Sequence, residues 1–420
     1  MKIKIKAYGC PSNLADAEII KGILLKKGYE IDEEADIAII LTCSVKIPTV
    51  NRMLDLIKKI KKKFNYLIIG GCLPLTYKKT IERIAPNASL ISPDWVDKIE
   101  EVIKRILKGE RVVWLKERRK VKLGLPRCRK NEVIGIVQIG RGCISNCAFC
   151  NEPFKGKLFS YPISSILKEI KFLVKDGCKE IWLTSLDTGC YGFDRNYTLI
   201  DLLKKIISLK ENFWVRIGMM NPHHFKKFGV KNLLECLKDE KFFKFLHLPL
   251  QSGSDRILRL MNRNYTAQEF LELVKEIRNE FPTLSLATDI IIGFPTEETK
   301  DFNSTLKILS KIQPDFVNIS KFGAHPNTLA KNLKMVNLPV IKKRSKKASE
   351  FVKKLLLKRN KKWIGWRGEV LVDEKGKNDT FIARNYAYKP IVLEGKNLLG
   401  KKIKVEIVDV KPNYLVAKLL

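Results

Sequence analysis

Short β-rich runs alternate with helix-length amphipathic segments twice along this chain, and that rhythm restricts the fold more than any other feature. In the first series the runs cover residues 3–7, 37–41, 66–69 and 89–91, separated by periodic stretches such as 16–27 and 50–63. Strand, helix, strand at this spacing predicts a parallel sheet with crossover helices over residues 1–115. A charged break at 116–132, with Glu117-Arg118-Arg119-Lys120 and little apolar periodicity, reads as a basic linker. The second series places strands at 134–139, 180–184, 214–218, 244–248, 284–292 and 316–320, with helices such as 163–175 and 267–280 between them. Six β/α units in so short a span predict an open, incomplete (β/α)6 barrel rather than a doubly wound sheet. A lysine-rich helix at 341–362 ends this unit, which spans 133–362. Alternating runs at 369–372, 381–384, 390–393, 402–408 and 414–418 then predict a small all-β barrel of the oligonucleotide-binding kind over 363–420.

Charge narrows the partners. Lys and Arg number 80 against 45 Asp and Glu, an excess of +35. Heat-adapted composition enriches Glu alongside Lys and does not create such an imbalance. A polyanion is the better account, with nucleic acid first among candidates because basic surface supplies the counterion-releasing part of its binding. An anionic membrane is disfavoured by the lack of a cationic amphipathic anchor, and no stretch reaches the roughly eighteen apolar residues of a span. The first residues, Met1-Lys2-Ile3-Lys4-Ile5-Lys6, alternate like a strand and lack the apolar core of a signal peptide, so a cytoplasmic protein is expected. Ten cysteines in such a chain point to metal or catalysis rather than a disulfide framework.

Six of those cysteines fall into two groups. Cys143, Cys147 and Cys150 stand in Arg141-Gly142-Cys143-Ile144-Ser145-Asn146-Cys147-Ala148-Phe149-Cys150, three thiolates from one short loop. A 4Fe-4S cluster normally takes four Cys ligands, so this loop leaves one iron open to a group that is not protein. A zinc site would want a fourth Cys or His at short spacing, and His223, His224, His247 and His325 are all distant. Cys10, Cys43 and Cys72 each end a predicted strand of the first sheet, where open α/β sheets form their ligand crevice. Three thiolates would converge there, each near a helix N-terminus whose field favours the thiolate. We read them as the ligands of a second iron-sulfur cluster, again with an open iron. Gly9, Gly70 and Gly71 suit a backbone folded closely around it. Asn13 either hydrogen-bonds near this site or caps the following helix beside Ser12. Cys128, Cys178, Cys190 and Cys236 have no partners at metal-like spacing and read as structural.

Polar residues gather where the barrel strands end, the catalytic face of such barrels. They include Ser185-Leu186-Asp187-Thr188-Gly189, Asn221-Pro222, His247-Leu248-Pro249-Leu250-Gln251-Ser252-Gly253-Ser254, and Asp289 through Gly293-Phe294-Pro295. Asp187 suits a ribose, and Gln251 and Ser252 suit the amino-acid end of a nucleoside cofactor. His247, in an apolar strand, reads as a satisfied barrel-interior residue.

With these motifs in hand, the chain resembles the methylthiotransferases of the radical S-adenosylmethionine (radical SAM) superfamily nearly end to end. Tyr8-Gly9-Cys10 with Asn13, Thr42-Cys43, Gly71-Cys72-Leu73-Pro74, the Cys143/Cys147/Cys150 loop and the strand-end motifs above carry the resemblance. It implies an N-terminal methylthiotransferase domain, a central radical SAM barrel and a C-terminal TRAM domain that binds RNA. Trp182-Leu183-Thr184-Ser185-Leu186-Asp187-Thr188-Gly189, Gly218-Met219-Met220-Asn221-Pro222 and Phe245-Leu246-His247-Leu248-Pro249 are similar to the archaeal and eukaryotic branch. That branch converts N6-threonylcarbamoyladenosine, beside the anticodon of certain tRNAs, to its 2-methylthio form. The cofactors implied are two 4Fe-4S clusters and S-adenosylmethionine, with Phe149, Ser185, Asp187, Gln251 and Ser252 as contacts to the latter. The reduced cluster on Cys143, Cys147 and Cys150 would cleave S-adenosylmethionine to methionine and a 5′-deoxyadenosyl radical, which removes hydrogen from adenine C2. Sulfur at the open iron on Cys10, Cys43 and Cys72 would join that carbon, and a second S-adenosylmethionine would supply the methyl group. Lys342, Lys343, Arg344, Lys346, Lys347, Trp363 and Trp366 would grip the RNA, entering through the side opening of the barrel.

Two segments depart from the family's pattern. Asn151-Glu152-Pro153-Phe154-Lys155-Gly156-Lys157 replaces an Ile/Thr-rich, Arg-Gly-containing form, and Ala324-His325-Pro326-Asn327-Thr328 lacks a Gly after Pro. Both bear on substrate contacts rather than on reaction type. The alternatives are methylthiolation of a ribosomal-protein aspartate or of isopentenyl-adenosine in tRNA, and a zinc-holding RNA-binding protein without redox chemistry. The sulfur source and electron donor are unknown from sequence.

Overall fold

In the computed structural model of residues 1–420, the first strand series forms a six-stranded, all-parallel sheet of order β2-β1-β3-β4-β5-β6. Its strands are β1 (Lys2–Ala7), β2 (Glu30–Ile31), β3 (Ile37–Thr42), β4 (Tyr66–Gly71), β5 (Ser89–Ile91) and β6 (Val113–Trp114). Every residue of β3 is buried because helices cover both faces, which explains its unbroken apolar run. Ile19, Leu24, Val102 and Ile103 pack on one side, and Met53, Ile57 and Ile81 on the other. The edge strands β2 and β6 are two residues long, too short for any alternation to announce them.

The second series builds β7 (Ile134–Gln138), the small hairpin β8 (Gly140–Arg141) and β9 (Phe159–Ser160), then β10 (Glu180–Thr184), β11 (Trp214–Ile217), β12 (Phe245–His247), β13 (Ser285–Ile292) and β14 (Phe316–Lys321). Two parallel triplets, β7-β10-β11 and β12-β13-β14, are joined by the Phe243 N–H to Val215 carbonyl bond (3.1 Å) and by Met220 N–H to His247 carbonyl (3.0 Å). No ladder links β14 back to β7, so the predicted open six-stranded barrel is what forms. The N-terminal domain touches both borders of that opening. Gln138 Nε2 donates to the Ser12 carbonyl (3.0 Å) after β7. Beyond β14, Gly323 lies against Ile47, and His325 Nδ1 is 2.9 Å from the Tyr77 hydroxyl. At the strand C-termini the gap is therefore bridged, where an unobstructed side entrance was expected.

Three helices begin earlier than their apolar periodicity suggests, at Pro11, Ile47 and Leu338. Proline occupies the first turn of each, where its missing N–H costs nothing. Residues 116–132 are irregular as predicted but not loosely solvated. Lys122 Nζ meets buried Asp16 at 2.5 Å, Arg127 is enclosed with Glu169 (2.9 Å) and Glu18 (3.5 Å), and Arg118 and Lys120 share Asp97. The strap's charges thus couple the helix Pro11–Lys26 to the helix Ile163–Lys175, each buried cation having its carboxylate.

The C-terminal strands β15 (Arg367–Lys375), β16 (Thr380–Arg384), β17 (Pro390–Glu394), β18 (Lys402–Val410) and β19 (Leu415–Leu419) close into a barrel of order β15-β16-β17-β19-β18. It docks beneath the central barrel, at the strand N-termini. Lys244 N–H donates to the Tyr386 carbonyl (2.7 Å), and Tyr388 packs on Phe243 and Phe245 with ring centroids 4.8 and 5.0 Å away.

Candidate active site

Cys10, Cys43 and Cys72 leave the ends of β1, β3 and β4, which are neighbours in the sheet, so one crevice gathers all three. Asn13 settles its two readings by bonding at the site. Its side-chain amide donates to the Tyr8 (2.8 Å) and Thr42 (3.1 Å) carbonyls, clamping the Cys10 turn to the Cys43 turn. Gly9 (φ +106°) passes so close that a Cβ there would stand 2.5 Å from Cys43 Cβ, and Gly71 (φ +87°) lies on the Thr42 backbone. These two positions need glycine both for conformation and for space.

The thiols do not behave as helix-terminus thiolates. Burial first, and then Cys10 and Glu152, push Cys43 up to about 11. Burial, followed by Glu152, Cys10 and Cys43, raises Cys72 far above its ordinary value. The helix after Cys72 is a single turn, Leu73–Thr76, whose field is small against that desolvation. Cys43 is buried, Cys72 half-buried and Cys10 exposed at the mouth of the crevice; thiols whose neighbours and desolvation oppose their ionisation, beside glycine turns, suit an iron cluster that would offset both penalties.

The second trio lies on the loop between β8 and β9. Cys143 and Cys147 are buried and Cys150 half-buried, and desolvation pushes Cys143 up to about 11 and Cys150 to about 12. The loop is pinned by the Ala148 N–H on the Met261 carbonyl (3.0 Å) and by Arg263. That enclosed guanidinium donates to Cys147 Sγ (3.4 Å), the Pro249 carbonyl (3.2 Å) and the Tyr265 hydroxyl (3.0 Å). This donor set again fits a cluster: three thiols of one loop with one buried cation.

A cavity of about 530 Å3 lies between the trios and is lined by Cys10, Cys72 and Cys150 together. Its size suits a nucleoside-sized ligand. Of the residues expected to touch S-adenosylmethionine, Phe149, Ser185 and Gln251 line it. Asp187 and Ser252 lie outside that lining. Asp187 accepts from Gly189 N–H (3.0 Å) and Asn221 N–H (3.1 Å) and faces His224 Nδ1 at 3.1 Å. Ser252 accepts from Ser254 N–H (3.2 Å) and lies beside the Thr305 hydroxyl (3.5 Å). Both sit where the chain folds back after a strand, and each side chain satisfies that turn instead of the cavity.

His247, expected to be a satisfied interior residue, is satisfied by Asp289 Oδ2 at 2.6 Å, but the pair faces the cavity. Although burial alone would raise it, the His247 hydrogen bond and charge hold the Asp289 carboxyl below its usual range, aided by Asn318 and Lys46. Two further site residues escape sequence reasoning. Arg263 gives no signal beyond an arginine among asparagines. Glu152, within the departing segment, lies 3.8 Å from Cys72 Sγ and is pushed up to about 7 by burial.

The expected RNA-gripping set divides. Lys342, Lys343, Lys346 and Lys347 lie on the helix Leu338–Asn360 with its buried face turned elsewhere. Arg344 is not free: it pairs with buried Glu297 at 2.8 Å, tying that helix to the loop after β13. Trp363 is also withdrawn, enclosed in the C-terminal core against Trp366 (5.7 Å) and Tyr386 (5.9 Å), while Trp366 is half-buried. A tryptophan next to a lysine-rich helix is as good an anchor for a small barrel as a stacking surface for a base, and here anchoring wins.

Comparison with known proteins places this geometry. Family profiles match for the radical SAM superfamily over residues 137–309, the uncharacterized protein family UPF0004 over 2–92, and the TRAM domain over 362–420. The chain is 38% identical over 428 residues to a probable threonylcarbamoyladenosine tRNA methylthiotransferase of Pyrococcus abyssi, covering 100% of both chains. It is 31% identical to the threonylcarbamoyladenosine tRNA methylthiotransferase of Homo sapiens, covering 99% of this chain and 73% of the human one. Among solved structures, a radical S-adenosylmethionine methyltransferase from Kitasatospora setae shares the fold, with a TM-score of 0.59 at 13% identity over 79% of this chain and 75% of that one.

Proposed function

The chain belongs to the threonylcarbamoyladenosine tRNA methylthiotransferases of the radical SAM superfamily, and we propose that it methylthiolates C2 of N6-threonylcarbamoyladenosine beside the anticodon of tRNA. The observation that carries this reading is the placing of Cys10, Cys72 and Cys150 on the wall of one cavity. Sulfur insertion at an unactivated carbon needs a radical source and a sulfur carrier within reach of the same atom, and a cavity that takes two cysteines of one trio and one of the other into its wall provides for both.

Cys143, Cys147 and Cys150 would hold one 4Fe-4S cluster, and Cys10, Cys43 and Cys72 the other. When bound, these clusters and S-adenosylmethionine supply one-electron cleavage of the sulfonium, hydrogen abstraction, and the sulfur and methyl for transfer. The protein's own part is placement and exclusion. Phe149 lies beside Cys150 and offers an apolar face to an adenine ring; Ser185 and Gln251 offer polar atoms to the cofactor's amino-acid end. Arg263 keeps a positive charge against Cys147. The N-terminal domain, bridging the gap between β7 and β14, shields the cavity from bulk water. For RNA, the lysines of the helix Leu338–Asn360 and the C-terminal barrel supply backbone contacts. No helix is long and apolar enough to cross a membrane.

Nucleoside mass spectrometry tests the proposal. Reconstituted protein incubated with S-adenosylmethionine, a reductant, a sulfide source and tRNA should convert N6-threonylcarbamoyladenosine to its 2-methylthio derivative. Modification of isopentenyl-adenosine instead, or of a ribosomal-protein aspartate, would replace this reading with another in the same reaction class.

A further inference from the structure

Of the two cavity-lining arginines, Arg216 is the one with no carboxylate at ion-pair distance. It stands on β11, two residues before the strand-end Gly218, so it forms the cavity floor one layer below the polar rim. Its guanidinium carbon lies 5.2, 5.3 and 5.4 Å from the ring centroids of Trp182, Phe245 and Tyr388. Nε is shut off from solvent without an acceptor, and no carboxylate comes within ion-pair distance of the group. The neighbouring withdrawn cations of this wall are answered: Arg141 by Asp94 and Glu117, Lys122 by Asp16. Glu180, beneath Arg216, accepts from Trp182 Nε1 (2.5 Å), and burial together with Asp373 favours its neutral form. Arg216 is half-buried with its Nε unpartnered, and withdrawing part of a guanidinium from water without an acceptor carries a cost that aromatic faces repay only in part. A site that keeps such a group is completed by an anion from outside the chain.

We propose that Arg216 binds the threonyl carboxylate of N6-threonylcarbamoyladenosine through its guanidinium fork, so that the barrel floor reads the substrate's charge. Planar, bidentate pairing with a carboxylate is what arginine does better than lysine. The geometry agrees with the reaction. N6 and C2 occupy different corners of the purine, so a carboxylate drawn down the barrel axis leaves C2 towards the rim, where Cys10, Cys72 and Cys150 line the wall. Gly218, which follows on the same wall, packs closely on the neighbouring strand, where a Cβ would stand 2.8 Å from the Leu183 carbonyl oxygen. The methionyl carboxylate of S-adenosylmethionine shares this chemistry; it would be held beside the Cys143 loop, and the experiment below separates the two. Isopentenyl-adenosine, with no charge on its N6 substituent, would leave Arg216 unanswered, which makes it a poor substrate here.

This inference rests on the proposed function, and the experiment separates the two. Binding and turnover are measured for an anticodon stem-loop carrying N6-threonylcarbamoyladenosine and for the same RNA with the threonyl carboxylate converted to a primary amide. Wild type should prefer the carboxylate by about ten- to a hundredfold, the range expected for a hydrogen-bonded charge. In Arg216→Gln that preference should fall towards unity, chiefly as a raised KM, and Arg216→Lys should fall between. Iron content per chain reports whether each variant is folded. Equal affinity of wild type for the two RNAs, or a Gln variant that keeps the preference, overturns the inference even if the reaction proceeds. A loss of S-adenosylmethionine affinity of the same size, measured without RNA, assigns the guanidinium to the cofactor and overturns it as well. Absence of any methylthiolation by wild type would instead defeat the proposed function.

Discussion

Cys147 shares its surroundings with a buried arginine, and that pairing gives the sharpest residue-level consequences. Cys147→Ala should abolish S-adenosylmethionine cleavage, read as 5′-deoxyadenosine formed under reducing conditions; an undiminished yield contradicts its place among the ligands. Cys43→Ala should retain part of that cleavage and lose sulfur transfer, because only the N-terminal trio is broken; full methylthiolation by this variant would leave that trio without a role. Arg263→Met removes a cation next to Cys147 Sγ. Reduction adds negative charge to a cluster, so losing the cation should lower its potential, by roughly tens of millivolts, in an EPR-monitored titration. An unchanged or raised potential would show that Arg263 only braces the loop. The six cysteines are legible because spacing and strand-end register are properties of sequence. Asp187, Ser252, Arg344 and Trp363 depart from expectation because a polar or aromatic residue at a strand end or helix end can turn either to the cavity or to the backbone, and sequence does not carry that choice.

At the scale of elements, the predicted strands and helices form where their periodicity places them, and the displaced boundaries share a cause. Pro11, Pro48 and Pro339 lie in first turns, so each helix starts at its proline or one residue before it rather than at its first apolar repeat. In the helix Leu338–Asn360, which starts this way, the buried residues Ile341, Ala348, Val352 and Leu356 face the core. Lys342, Lys343, Lys346 and Lys347 are left to the outer side. If those lysines contact phosphate, changing all four to Ala should weaken tRNA binding regardless of sequence. The slope of log affinity against log salt should also shrink by about one unit per lysine. An unchanged slope in filter-binding or fluorescence titrations would place the RNA elsewhere.

At the scale of the whole molecule, domains are joined by buried ions that no local pattern announces. Asp315, preceding β14, receives Lys389 Nζ of the C-terminal barrel at 2.7 Å, Arg359 at 3.1 Å and Arg278 at 3.6 Å. Asp315→Ala would strand three cations at the junction and should cost about 3–5 kcal/mol, visible as an earlier unfolding transition. A midpoint unchanged in denaturant would mean water already shares that site. The N-terminal strap works in the same way through Lys122 and Arg127. In sequence the segment 116–132 is charged and therefore reads as a linker; the partners of its charges, like those of Asp315, are distant in the chain, so only the folded structure reveals that they join the domains.

The claim on which the rest depends is that both cysteine trios hold clusters, and iron counting tests it most directly. Anaerobically reconstituted protein should carry about eight irons and eight sulfides per chain, and Cys43→Ala and Cys147→Ala about four of each. Four irons in the wild type, eight retained after Cys43→Ala, or zinc in place of iron would contradict it.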